Sequence, residues 1–511
     1  MIERRDFITG MLAGAGFVSG CGTLSSFMGG LGARLKFGVI SDVHIKLAKD
    51  GHSFAAGYDT QTLEKTFIYF RDCGVDAVMI AGDIADIGCV RELKAVADTW
   101  FKVFPNDRAP DGHKVERLFV FGNHDVYGLK NAASIFEDPA VLSREVIEAD
   151  PHAAWDACFH EEWKPYYKKT IKGFDFFCSH WQPGIWCNGY AETGCNGCAD
   201  AFRLMMEKSD PSKPFFYVQH PHPRDTVYGR DAWGVDDGTS TKLLSNFPQA
   251  VAFSGHSHEP LTNERALWRG AFTSVATGSL RYLGASSIYN RSNDAGYENG
   301  ACNVYAPNVN RSDRGIYYAR YNAPKAMPDE AHASDIRVGQ IVSVFDDRIE
   351  FEKREFVSGL KLSEDWVIEL PAKAKSFAAR AKVAKIAQFA PDAELKVVRT
   401  KTKSRGLKRG DINIEPEVKE ALRFEFPPAN AGGCVAEYEI SAMNAGGTKA
   451  SVRICARSGF YPKKHKKFSE KVVATVFADK FPIGADFFSV APIDSFGNVG
   501  KTISSIFKIG N

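Results

Sequence analysis

Five short clusters, in chain order, hold the side chains most able to do chemistry: Asp42-Val43-His44, Gly82-Asp83-Ile84-Ala85-Asp86, Gly122-Asn123-His124-Asp125, His220, and Gly255-His256-Ser257-His258. Together they offer carboxylate and amide oxygens and imidazole nitrogens, with no thiolate among them. Hard oxygen with borderline nitrogen suits Mn, Fe or Zn and argues against a cysteine-based structural zinc site. One ion takes about three or four protein donors, so this set is large enough for two. A carboxylate that bridges a pair of cations holds them roughly 3.5–4 Å apart, the separation used for phosphoester hydrolysis. Any one cluster alone reads as a turn or a capped helix end; five in succession point to a site.

Surrounding elements must bring these donors together. From Arg34 to about Glu355, short apolar runs alternate with helical periodicity, an α/β pattern. Leu35–Ile40 is expected as a strand leading into Asp42, Val75–Ala81 as one leading into Gly82-Asp83, and Leu118–Phe121 as one leading into Asn123. Lys213–Gln219 and Gln249–Phe253 end in the same way, near His220 and Gly255. Between them, Thr60–Cys73 (Leu63, Phe67, Phe70) and Glu92–Phe104 (Leu93, Val96, Trp100) carry apolar residues at helical spacing. Each polar cluster thus falls just past the C-terminal end of a strand, where an open α/β sheet forms its crevice. In His220-Pro221-His222 the strand delivers His220 to that end and leaves His222 to line the cleft. Val338–Glu355 reads as a closing hairpin around Asp346-Asp347.

Beyond Phe356 the pattern changes. Residues 357–410 read as a linker and lead-in, with an Ala/Lys-rich stretch (Ala372–Ala387) and a basic run, Lys396–Arg409, expected as a solvated strand and turn. Residues 411–511 show short alternating strands between Gly, Asn and Pro turns, the pattern of a β-sandwich. The 511 residues suffice for two or three domains. A balance of 64 Lys+Arg against 62 Asp+Glu argues against a dedicated nucleic-acid binder. No apolar run reaches the roughly 18 residues of a membrane span.

At the N-terminus, Glu3-Arg4-Arg5-Asp6-Phe7-Ile8 resembles a twin-arginine export signal, and Val18-Ser19-Gly20-Cys21 resembles a lipobox whose Cys21 is acylated after cleavage. Gly10, Gly14, Gly16 and Gly20 weaken the competing reading of an amphipathic helix. Residues 1–21 are therefore expected to be an export signal. The expected location is that of an exported bacterial protein, a periplasmic or outer-membrane lipoprotein.

In their order and types the five clusters resemble the calcineurin-like metallophosphoesterase superfamily, which includes purple acid phosphatases and many phosphodiesterases; the likeness spans about residues 35–355. The resemblance implies a four-layer α/β/β/α sandwich for residues 34–356. It implies that Asp42, His44, Asp83 and His258 hold one metal, and Asp83, Asn123, His220 and His256 a second, with Asp83 bridging. It makes His124 the imidazole that protonates the leaving oxygen, oriented by Asp125, and Asp86 a carboxylate that supports the ligands from behind. The expected reaction is hydrolysis of phosphomonoester or phosphodiester bonds by a metal-bridging hydroxide. The third cluster reads Asn123-His124-Asp125, where related 5′-nucleotidases show Glu and then Phe-Asp after the His, which disfavours a nucleotidase.

Trp186, Arg281 and His222 are candidates to hold the non-phosphoryl part of a substrate. A disulfide is expected in the insertion Gly184–Asp200, which contains Cys187, Cys195 and Cys198. His180, which also follows a strand, is expected to be an ordinary buried histidine. Phe487–Ile503 resembles the last two strands of fibronectin type III-like domains, which gives that character to the C-terminal sandwich. The competing function is a surface binding protein with an inactive phosphoesterase domain and recognition by the β-sandwich.

Overall fold

The computed structural model describes residues 32–126, 151–181, 194–229, 232, 234–281, 337–404, 407–409, 412–430, 435–455 and 471–506. The export signal, Cys21, Trp186 and Cys187 lie outside these residues.

The N-terminal part runs β1 (Leu35–Ile40), α1 (Gln61–Asp72), β2 (Ala77–Ala81), α2 (Val90–Val103), β3 (Glu116–Val120), α3 (Pro151–Phe159), β4 (Tyr166–Ile171) and β5 (Phe174–Ser179). It continues with α4 (Ala199–Met206), β6 (Phe215–Val218), α5 (Thr239–Leu244), β7 (Ala250–Ser254), β8 (Leu267–Arg269) and β9 (Thr273–Ala276). The strands β10 (Val338–Val344), β11 (Arg348–Glu355), β12 (Leu360–Lys361) and β13 (Trp366–Glu369) complete it. They form a seven-stranded sheet, β12-β11-β10-β1-β2-β3 with β13 also on β11, and a six-stranded sheet, β4-β5-β6-β7-β9-β8.

Alternation along each strand decides what its two faces touch. Phe37 and Val39 of β1, with Met79 of β2, meet Phe176, Phe216 and Phe253 of the second sheet in one buried core. The opposite face of the first sheet, with Ile40, Val78, Ile80 and Phe119, packs on Leu63, Phe67 and Phe70 of α1 and on Leu93, Val96 and Trp100 of α2. Phe215, Tyr217 and Ala252 face outward from the second sheet onto Phe202 and Met206 of α4 and Leu243 and Leu244 of α5. Strands apolar on both faces read as continuous hydrophobic runs, which explains why β1, β2 and β7 were legible. The result is the expected α/β/β/α order of layers.

The C-terminal part contains α6 (Phe377–Val383), β14 (Lys396–Lys403), β15 (Leu407–Arg409), β16 (Ile412–Ile414), β17 (Val418–Phe426), β18 (Val435–Asn444), β19 (Lys449–Cys455), β20 (Val472–Phe477), β21 (Ala485–Asp494) and β22 (Ile503–Ile506). A three-stranded sheet, β14-β17-β20, faces a four-stranded one, β19-β18-β21-β22, over a core that includes Leu422, Phe424, Tyr438, Ile440, Val476 and Phe488. This is an all-β sandwich.

The expected boundaries at 357 and 411 need correction. β12 and β13 extend the first sheet to Glu369, because Trp366 and Ile368 alternate inward into the inter-sheet core. β14 pairs along its full length with β17 and sends Val397 into the sandwich, while its charges face water. The Ala/Lys-rich stretch supplies α6, which ties the two parts together. Arg380 donates to the carbonyls of Leu267 (2.8 Å) and Glu264 (2.6 Å), and to the Glu264 carboxylate (2.9 Å). On its other side, Asn498 of the sandwich donates to the Ala381 carbonyl at 3.1 Å.

Candidate metal centre

The parallel pairings β1–β2, β2–β3 and β6–β7 hold successive strand ends level with one another. Asp42, Asp83, Asn123, His220 and His256 therefore leave the two sheets at one edge, just beyond Ile40, Ala81, Val120, Val218 and Ser254. Backbone bonds stitch the loops: Asp42 N to Gly82 O at 3.0 Å, His44 N to Asp83 O at 3.0 Å, and Gly255 N to His220 O at 2.9 Å. Asp42, His44, Asp83, His256 and His258 all take positive φ, from 46° to 71°. Outside glycine that backbone is strained by roughly 1–3 kcal/mol per residue and persists only where its surroundings enforce it. Gly82 (φ 91°) and Gly122 have no room for a side chain: a Cβ would strike the His220 ring in the first case and the Asp83 carboxylate in the second.

Two groups of donors converge. In the first, His258 Nε2 lies 3.0 Å from Asp42 Oδ1 and 3.2 Å from His44 Nε2, which is itself 3.6 Å from Asp83 Oδ2. In the second, His220 Nε2 lies 3.2 Å from Asp83 Oδ2, 3.1 Å from Asn123 Oδ1 and 3.1 Å from His256 Nδ1. Asp83 Oδ2 is common to both, while Asp83 Oδ1 accepts the His124 backbone N–H at 2.9 Å. Ring nitrogens and carboxylate oxygens that converge away from solvent are the chemistry of a cation pocket.

Other contacts fix how each donor is presented. His220 Nδ1 is 2.8 Å from the Ala81 carbonyl, which places its proton there and turns Nε2 toward the centre. His44 Nδ1 lies 3.3 Å from the Asp86 carboxylate, which Lys46 Nζ holds at 2.6 Å. The His256 backbone N–H donates to both Asp42 oxygens, at 3.2 and 3.1 Å. Burial opposes ionisation of Asp42, but the neighbouring His258 outweighs it and brings the carboxyl to about 2. Burial likewise opposes the charge on His220, yet Asp83 raises its imidazole to about 10. Asp83 is held well below the usual carboxylate range, against its burial, by His220 and other imidazoles. Protons on imidazole thus balance the carboxylates where cations would otherwise do so.

Two expected roles are corrected by position. Asp125 does not orient His124; its carboxylate accepts from the backbone N–H groups of Gly122 (2.7 Å), Ala85 (2.7 Å) and Ile84 (3.2 Å), locking two donor loops together. Burial, and then the charge of Asp83, raise it to about 8. His124 Nδ1 instead sits 2.7 Å from the Asp86 carbonyl. His222 does not line the cleft: it is buried, with both ring nitrogens 2.7 Å from hydroxyls, those of Ser254 and Ser257. It braces the turn between His256 and His258, and burial lowers it to about 3. Of the disulfide expected in the insertion, Cys187 lies outside the described residues, and Cys195 and Cys198 form no disulfide with each other.

Asp86 lies behind His44, and His180 is buried among Phe121, Trp155 and Trp163, accepting from Phe121 N at 3.1 Å. Arg281 stacks on Tyr58, its guanidinium carbon 3.4 Å from the ring centroid. Lys46 was missed in the sequence; its signal is the every-second-residue spacing after Asp42 and His44.

Residues 35–260 match the calcineurin-like phosphoesterase family, and this stretch is a calcineurin-like phosphoesterase domain. Its donor groups are compatible with a dinuclear metal site. No curated protein matches the chain. Among solved structures, the chain is similar to a purple acid phosphatase from yellow lupin (Lupinus luteus) seeds, at 13% identity and a TM-score of 0.36, over 66% of this chain and 53% of that one. This chain thus spans about half the length of the lupin enzyme. It is also similar to a conserved uncharacterized protein (predicted phosphoesterase) from Streptococcus pneumoniae, at 11% identity and a TM-score of 0.25, over 65% of this chain and 97% of that one. Vacuolar Protein Sorting 29 from Cryptosporidium parvum is similar at 8% identity and a TM-score of 0.25, over 67% of this chain and 98% of that one.

Proposed function

We propose that this chain is a metal-dependent hydrolase of phosphomonoesters or phosphodiesters, exported and held at a membrane surface by a lipid on Cys21. The observation that carries the catalytic part is the convergence of Asp42, His44, Asp83, Asn123, His220, His256 and His258 at the strand ends of a calcineurin-like phosphoesterase domain. Asp42, His44, Asp83 and His258 would hold one ion of Mn, Fe or Zn; Asp83, Asn123, His220 and His256 would hold another. Bound there, the ions would supply Lewis acidity toward phosphoryl oxygens and lower the pKa of water into the neutral range.

The chain's own groups do the rest. Asp83 presents one oxygen to both donor groups because its other oxygen is occupied by the His124 N–H. Asp86 fixes the His44 ring so that Nε2 faces inward. His124 keeps its Nδ1 proton on the Asp86 carbonyl, which leaves Nε2 to carry the proton given to the departing oxygen. A binding protein with an inactive domain has no need of this donor set, and here every member is present.

Metal analysis with turnover of 4-nitrophenyl phosphate and bis(4-nitrophenyl) phosphate tests the reading. About two ions per chain and release of 4-nitrophenol are expected. A protein that takes up no metal and cleaves neither ester would overturn it. The export part rests on the Arg4-Arg5 and Ser19-Gly20-Cys21 patterns. Cys21→Ser is expected to move the protein from the membrane fraction to the soluble one; an unchanged distribution would end that part.

A further inference from the structure

Beside the two donor groups lies a third convergence, to which the phosphoester reading gives no ion. A carboxylate oxygen of Asp86 and one ring nitrogen each of His44 and His124 lie within 4.8 Å of one another. The two imidazoles meet edge to face, with ring centroids 4.6 Å apart. Asp86 Oδ1 is 3.3 Å from His44 Nδ1, and the Asp86 carbonyl is 2.7 Å from His124 Nδ1. Two imidazoles and a carboxylate suffice for Zn or Mn, with water completing the coordination. An ion held there would compete with the first metal for His44 and with the leaving oxygen for His124.

What this group holds instead is Lys46, whose Nζ donates to Asp86 Oδ2 at 2.6 Å. The backbone delivers it there. Ile45 and Ala85 form a parallel bridge, and Asp86 N donates to Ile45 O at 2.9 Å, so the first two donor loops run side by side. Lys46 N donates to Tyr58 O at 3.1 Å, and the Lys46 carbonyl accepts Ala55 N at 3.0 Å. The ammonium also lies 5.7 Å from the centroid of the Tyr58 ring, within reach of a cation–π contact. An ammonium brings charge and protons but no lone pair and no free coordination site, so it satisfies the carboxylate without drawing in either imidazole. A metal ion arriving at the same place meets an engaged carboxylate and a fixed like charge.

We infer that Lys46 is a built-in cation that closes the His44–Asp86–His124 group to metal and thereby limits how many ions the chain takes up. It is a positioning residue: it touches Asp86, and through Asp86 it leaves His44 to one ion and His124 to the departing oxygen. The inference rests on the hydrolase reading for the roles of those two imidazoles, while the closure itself is a property of the chain alone.

Ion counting on the full-length chain tests it, with no need of turnover. Wild type, Lys46→Met, Lys46→Gln and Lys46→Arg are dialysed to equilibrium against Zn, and bound ion is measured per chain. The Lys46 side chain is 38% exposed, so its replacement opens no cavity, and the second neutral variant guards against misfolding of the first. Lys46→Met and Lys46→Gln leave the Asp86 charge open to an ion and should each hold about one ion more than wild type. Lys46→Arg keeps a cation on Asp86 and should hold the wild-type number. Adding Asp86→Asn to Lys46→Met should remove the extra ion. If wild type takes up about two ions and the neutral variants take no more, the closure falls and the hydrolase reading stands. A wild type that already holds about three ions overturns the closure as well. If wild type takes up none and the neutral variants take about one, the hydrolase reading falls and the closure stands. No ion in any of the four proteins ends both.

Discussion

Among the described residues, twelve non-glycine positions take positive φ; all lie in the phosphoesterase domain, none beyond His258, and five of them are metal-donor candidates. The same domain gathers Asp42, Asp83, Asp125, His220 and His256, all buried, at one edge of its sheets. In the C-terminal sandwich the strands follow ordinary alternation around Phe424, Tyr438 and Phe488, and among the described residues no non-glycine position there takes positive φ. Strained backbone and buried charge together mark the place where a fold is held against its local preferences for the sake of a site.

The largest test of this contrast is Asp83→Asn. Removing the oxygen shared by both donor groups should abolish metal uptake and lower turnover by more than the roughly 10–100-fold seen for groups that merely support a ligand. The metal-free variant should melt lower than wild type, because ionised Asp83 is held in the fold by His220 and its loss leaves that imidazolium without its partner. A chelator should then lower the melting temperature of wild type and leave the variant unmoved, since only the former gains from bound ions. Full metal content and undiminished activity in Asp83→Asn would remove the basis for the contrast.

A second variant separates holding from reacting. Asp125→Ala leaves three buried N–H donors, on Gly122, Ala85 and Ile84, without their acceptor. At about 1–3 kcal/mol each this should destabilise the fold by several kcal/mol, visible in urea unfolding. His124→Ala should instead lower kcat with little change in unfolding. The reverse pattern would restore Asp125 to a direct role with His124.

The five clusters were legible because strands buried on both faces leave unbroken apolar runs, and a polar residue just past such a run has few other reasons to be there. What escaped was direction. His124 and Asp125 are neighbours in sequence, but the short 3-10 turn His124–Val126 sends one to the Asp86 carbonyl and the other to Gly122 N. His222 looked like a cleft residue because spacing shows that a side chain is near a strand end, not that Ser254 and Ser257 already occupy both its nitrogens. β14 looked like a linker because an edge strand with one inward valine carries too little apolar signal to register. The joining role of α6 rests on Arg380 and Glu264, which lie 116 residues apart, and no local pattern encodes such a contact. Arg380→Ala removes a buried partner of Glu264 and should cost about 3 kcal/mol of stability, with metal uptake retained. Loss of metal along with stability would show that α6 braces the centre too.

The effect expected in the sandwich has the opposite sign. Glu437 is fully buried on β18; Arg453 approaches it only to 3.7 Å, and burial raises its carboxyl to about 7. An acid whose folded pKa is raised remains protonated in the fold while the unfolded chain ionises. Folding therefore loses stability as pH rises from the ordinary glutamate range, near 4.5, to about 7, and the loss is constant above that. Glu437→Gln never ionises, so it should match wild type below about pH 4.5 and exceed it by up to about 3 kcal/mol at pH 8. Thermal melts of both proteins across this range give the difference directly. A difference of the same size at every pH would mean that packing, not ionisation, separates them. A less stable variant at pH 8 would show that the Arg453 contact outweighs burial, and that the sandwich too holds a charge by design.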